Sequence, residues 1–281
     1  MVKIDRRYGY LLIYIMVFAL VTFPIPSPIP ILEWTQSFYD YVDTLPPGSL
    51  ILYSSQYGSA GPTFQPFAMA FLHHCMMNDL RVIGVCPCLI FIDWLDLDFH
   101  LAGWIDPGVT KPKPGQAMTN GKTYGVDFAY LGYLPGMEAG FANLAKDSRM
   151  VYKLDYYGND VETLPIMQDF RSAVDIDLLV VLFDYLPMPI AWVRQWRPYG
   201  VAIGLHHYAS PGQYLPYYYA GDYIGISSDI DGGAQYETLV GVPGLATALM
   251  TLSSTLHLLQ AAVIIAGSVV LYVTKFGKEE S

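Results

Sequence analysis

Charge is scarce in this chain, and positive charge is scarcest. Of 281 residues only 14% are charged, and 15 Lys and Arg stand against 25 Asp and Glu, a net charge of −10. A protein that holds nucleic acid needs clustered basic residues to face phosphate, so that class of partner is excluded. Cysteine is almost missing: Cys75, Cys86 and Cys88 are the whole complement. They are too few for a disulfide-built scaffold and follow no zinc-ligand spacing. No G-x-x-x-x-G-K-[ST], G-x-G-x-x-G or G-x-S-x-G occurs. Neither a phosphate-cradling loop of known pattern nor a strained serine elbow is written into the sequence. No repeat of 20–50 residues is present, and one domain is the simplest organisation.

Apolar residues are plentiful instead. They make up 53% of the chain, too much for an ordinary soluble domain, so membrane spans come first. Two runs stand out: YGYLLIYIMVFALVTFPI at 8–25, preceded by Lys3, Arg6 and Arg7, and LHLLQAAVIIAGSVVLYVT at 256–274, followed by Lys275 and Lys278. About 20 helical residues cross the hydrocarbon layer; the second run meets that length and the first is slightly short. Both basic flanks lie on the terminal sides, so the positive-inside rule predicts cytoplasmic termini and an extracytoplasmic middle. A cleaved signal peptide is the alternative for the first run. The prolines at 24, 26, 28 and 30 and the want of a small-x-small cleavage site favour an uncleaved anchor. Residues 28–254 hold ten basic against twenty-two acidic residues. An acidic body of that kind is repelled by anionic lipid and stands on its anchors. The lipid bilayer is therefore the first expected partner. In such a compartment a Cys75–Cys86 or Cys75–Cys88 bond is allowed; three buried thiols are the other reading.

The predicted organisation is a cytoplasmic tip and first span at 1–25, a Pro-rich stalk at 26–48 with a short helix at 33–43, an α/β domain at 49–245, and a second span with its tail at 246–281. Within the domain, strands are expected at 49–55, 81–87, 124–133, 175–184, 199–207 and 222–228. Helices are expected at 62–79, 89–104, 136–147, 188–196, 212–221 and from 232. Strands apolar on both faces and alternating with helices predict a doubly wound, mostly parallel Rossmann-like sheet of about six strands.

The segments PFAMAFLHHCMMNDLRVIGV, YGVDFAYLGYLPGMEAGFANLAKD, YYGNDVETLPIMQDF and DGGAQYETLVGVPG resemble a widespread bacterial and archaeal group of membrane-anchored α/β proteins, over roughly residues 49–245. The resemblance implies the fold and the topology and no catalytic residue. Where that group often has a Trp-Pro-Thr-Gly-like turn after the second strand, this chain reads Cys86-Pro87-Cys88-Leu89.

In an open α/β sheet ligands bind beyond the carboxyl ends of the strands. That rule gathers Ser54, Ser55 and Gln56 after the first strand, Glu138 after the third, Asp184 after the fourth, His206 and His207 after the fifth, and Ser227, Ser228 and Asp229 after the sixth. Ser54, Gln56, Glu138, His206 and Asp229 form the expected ligand crevice. Ser55 or Ser228 with His206 and Asp184 are the candidates for a nucleophilic triad, set against the preference of Ser and Asp for helix caps. Asp93, Asp96 and His100, on one face of a helix, are the candidates for a divalent cation, the single cofactor the sequence offers. Asp231 reads as a helix cap.

Six of the nineteen residues 205–223 are tyrosine. Tyr214, Tyr217 and Tyr218 share a helical face, either a core edge or a contact surface. The leading functional expectation is an interaction or scaffold subunit that assembles with itself or a related chain. Small residues at Ala262, Ala266 and Gly267 would let spans approach closely. A sensor of small molecules or ions is the second expectation, and a hydrolase the third.

Overall fold

A computed structural model describes residues 28–58, 61–184, 187–208 and 211–276, with positions 7, 10, 11, 13–15, 18 and 19 near the start. The chain divides into two units, Pro30–Ala246 and the pair Met1–Ile29 with Thr247–Ser281.

The first unit is built on six strands: β1 (Leu50–Gln56), β2 (Arg81–Cys86), β3 (Phe128–Tyr133), β4 (Leu178–Phe183), β5 (Ala202–His207) and β6 (Gly225–Ser228). All pair in parallel, in the order β3-β2-β1-β4-β5-β6. LILYSSQ and LLVVLF are buried along their whole length. Strands covered on both faces need that kind of apolar run, in place of the alternation of a half-exposed sheet. Boundaries shift modestly from the sequence expectation. The third strand begins at Phe128 because Gly125 turns the chain at φ +81° just before it.

Right-handed crossovers decide where the helices go. From β1 the chain steps outward through α2 (Gly61–Met77) and α3 (Ile92–Leu101) to β2 and β3. It then returns to β4 and steps the other way through α6 (Met188–Trp196) and the short α7 (Leu215–Tyr219). The reversal puts the two sets on opposite faces of the sheet. α4 (Glu138–Lys146) joins α6, with the Phe141 ring stacked 3.9 Å from Trp192. Between α4 and β4 lie short turns and α5 (Pro165–Gln168). α8 (Asp229–Val240) returns to pack against α2, and α1 (Glu33–Thr44) lies along β6 and α8.

Residues 33–44 are thus no part of a stalk. Phe38 and Val42 of α1 are fully buried in the core. Room for them comes from two strand glycines: a Cβ on Gly204 would sit 2.4 Å from the Phe38 ring, and one on Gly225 would sit 2.4–2.5 Å from Phe38 Cβ and backbone. α8 also begins earlier than expected, so Asp231 lies inside its first turn; the cap position belongs to Ser228.

α9 runs Leu245–Phe276, its first two residues in the first unit and the rest in the second, and its stretch Leu245–Val269 has a mean hydropathy of 1.7 over 25 residues. At 1.5 Å per residue that is about 37 Å, enough to cross a hydrocarbon layer. Among the described residues it is the one helix long and apolar enough to do so. The first apolar run, 8–25, falls largely outside the described residues.

Candidate functional site at the carboxyl edge of the sheet

Parallel register sorts the edge residues into two rows. Ser55, Leu182, His206 and Ser227 are successive partners across β1, β4, β5 and β6. Their side chains share the face covered by α1, α2 and α8. Gln56, Phe183, His207 and Ser228 form the next row and point to the opposite face.

This arrangement does not assemble the expected triad. Ser228 and His206 lie on opposite faces. Ser55 shares the face of His206 but stands two strands away, about 10 Å at ordinary strand spacing. The His206 ring is fully buried, stacked 4.2 Å from Phe67 with Phe64 at its edge, and its Nδ1 pairs with Ser227 Oγ at 2.9 Å. Burial drives its pKa down to about 3, which keeps the ring neutral. A neutral imidazole held by a serine and two phenyl rings is a packing element.

The cation candidates are occupied too. Asp93 accepts from Tyr156 Oη at 2.7 Å and Asp96 from Tyr157 Oη at 2.5 Å, with His100 Nε2 3.9 Å from Asp96. Among the described residues no three His, Cys, Asp or Glu side chains converge into a metal site. All three cysteines are free thiols, so neither expected disulfide forms. Cys86 Sγ donates to the Cys88 carbonyl, and burial pushes its pKa up to about 12. Glu138 is drawn away from the crevice: Arg194 grips its two oxygens at 2.9 and 2.7 Å and Gln195 adds a third bond, lowering its pKa to about 2.

The tyrosine stripe also turns inward. Tyr214 is fully buried against His207 and Tyr223, Tyr217 packs near Tyr223, and Tyr218 Oη pairs with Ser37 Oγ at 2.9 Å. Tyr219, outside the stripe, is exposed, as is Tyr208.

What remains at the edge centres on the gap between β1 and β4, where the strand order reverses. Ser54 Oγ and Gln56 Oε1, both on β1 and both buried, have no hydrogen-bond partner among the described residues. Leaving such a group unpaired costs about 1–3 kcal/mol. Asp184, at the end of β4, donates its backbone N–H to the Gln56 carbonyl at 3.3 Å and is half-buried, with its pKa raised by desolvation. Asp229, at the start of α8, has φ +54°, a strained backbone for a residue with a Cβ. Asp231 in the same turn is half-buried with a raised pKa, chiefly from desolvation. The chain that follows the strands carries no Lys or Arg in 54–65, 86–92, 133–138, 184–190, 206–216 or 227–237. The edge therefore offers acceptors and carboxylates and opposes phosphate.

One acid escaped the sequence reading. Asp98 of α3 is fully buried, accepts from Tyr57 Oη in a short bond and from Tyr53 Oη at 3.5 Å, and has its pKa raised to about 8 by burial. Its signal was helical spacing: Leu95, Asp98 and Phe99 fall at i, i+3 and i+4, the inward stripe of the helix. No protein-family model, curated protein or solved structure matches the chain.

Proposed function

We propose that this chain is a membrane-anchored, extracytoplasmic α/β domain that binds a small neutral or cationic polar molecule at the carboxyl edge of its sheet, at the β1–β4 gap. The observation that carries this is the pair of unpartnered polar groups there, the Ser54 hydroxyl and the Gln56 amide oxygen, beside the half-buried Asp184. Parallel sheets of this strand order bind ligands at that gap. An acidic edge selects amines, polyols or amino acids over phosphates. Anchoring through α9, a first span at 8–25, and termini on the cytoplasmic side complete the reading, as does kinship with the membrane-anchored α/β group.

A thermal-shift screen on the detergent-extracted full chain tests it. Neutral and cationic polar ligands should raise the melting temperature and nucleotides should not. Gln56→Ala and Asp184→Asn should weaken the binding by about tenfold or more, roughly the loss of one good hydrogen bond to a charged or buried group. A screen that is flat across all classes sinks the proposal.

A specific surface favours the second reading, an interaction subunit. Ile90 is 79% exposed, and Leu97 and Leu101 on the outer side of α3 are 40% and 56% exposed. Apolar side chains gathered in solvent mark contact surfaces. Only monomer on blue-native electrophoresis would remove that reading.

A further inference from the structure

A cavity of about 390 Å³ opens among the helices of the domain. Pro66 and Met69 of α2, Leu101 and Ala102 of α3, and Val242 and Leu245 at the α8–α9 connection line it. The carboxylate in its wall, Glu237, is already turned aside: Oε2 accepts from the Gly244 amide at 2.9 Å and Oε1 from the Ala246 amide at 3.1 Å. No Lys or Arg lines the cavity. It has the volume of a ligand site and a lining that rewards hydrocarbon.

We infer that this cavity takes one alkyl chain of a bilayer lipid. The argument is covalent continuity: Leu245, part of the wall, is also the first residue of the apolar stretch Leu245–Val269. If α9 enters hydrocarbon at the start of that stretch, the cavity opens beside the boundary. Leu101, Val242 and Leu245 line the cavity and are each at least 40% exposed, which gives it an apolar rim. The lining is largely apolar, with Gln65 and His73 its polar side chains besides Glu237; it binds the chain and has no Lys or Arg for an anionic headgroup. This rests on the proposed membrane crossing by α9 and is independent of the edge site.

The test reconstitutes the full chain in phosphatidylcholine vesicles whose acyl chains carry a diazirine, followed by irradiation and peptide mapping. Crosslinks are expected in two places, the helix at 250–269 and the cavity segments around 66–69, 101–102 and 242–245. Ala102→Phe, which fills the cavity from an incompletely buried position, should cut cavity crosslinking about tenfold while leaving 250–269 unchanged. Leu101→Gln should lower it as well, without adding bulk. Crosslinks confined to 250–269 in the unmodified chain overturn the inference and leave the membrane reading standing. Crosslinks absent from both places overturn the two together.

Discussion

Asp96 and Asp98 are separated by a single residue on one helix and differ in everything that matters to a carboxyl group. Asp96 is partly exposed and hydrogen-bonded to Tyr157, whereas Asp98 lies in the apolar interior beneath Tyr53 and Tyr57. Burial raises the Asp98 pKa to about 8, from an ordinary value near 4. The folded chain therefore binds a proton there that the unfolded chain releases. Stability from this group is complete below about pH 4 and is lost as pH rises toward 8, at up to about 1.4 kcal/mol per pH unit. Asp98→Asn cannot ionise and keeps an acceptor for Tyr57, so the gap between its melting temperature and that of the parent should widen in its favour from pH 5 to pH 8. Parallel curves across that range would show that Asp98 is ionised in the fold. Among single residues the sequence was a fair guide to type and a poor one to role. His206 stood out as a base because it ends a strand. It proves to be a neutral core ring because Phe64 and Phe67 come from α2, some 140 residues earlier in the chain, and Ser227 from β6.

Secondary elements were far more legible. Most strands announce themselves as apolar runs, and α4 and α6 carry apolar residues at helical spacing, since every residue of a covered element must satisfy the same local rule. α1 is the exception that teaches most. EWTQSFYDYVDT reads as a helix, yet its burial depends on Gly204 and Gly225, some 170–190 positions later in the chain. Gly225→Ala would press a methyl group into the Phe38 backbone, which cannot rotate away, and should cost about 2–4 kcal/mol by chemical denaturation. Gly204→Ala meets only the far end of the Phe38 ring and should cost less, about 1–2 kcal/mol. Equal effects from the two substitutions would mean that α1 does not pack as described. At the other end of the domain, Glu237 secures the start of α9 by accepting from two amides that a helix start leaves unpaired. Glu237→Ala should lower stability by about 1–3 kcal/mol, read as a drop in melting temperature of the detergent-extracted chain, whereas Glu237→Gln should retain part of it.

For the whole molecule the proposed arrangement is two spans with the α/β domain between them on the outer side. Its chemistry suggests a direct check, because Lys111 and Lys113 are exposed on a loop of the domain, and Lys275 and Lys278 follow the apolar stretch Leu245–Val269 in the sequence. A membrane-impermeant amine reagent applied to sealed cells should modify Lys111 and Lys113 and should reach Lys275 and Lys278 only after permeabilisation. The reverse pattern would place the domain in the cytoplasm and end the proposed topology.

Composition and hydropathy by themselves settled the α/β class, the number of strands, the apolar C-terminal helix and the poverty of basic residues at the strand ends. These are local or additive properties, fixed by which residues stand next to each other. Which acid is buried, which histidine is inert, and which serine faces which helix came only with the tertiary structure. The strand order 3-2-1-4-5-6 is set by pairing between segments far apart in the chain, and a shift of one residue in register would have moved every edge side chain to the other face.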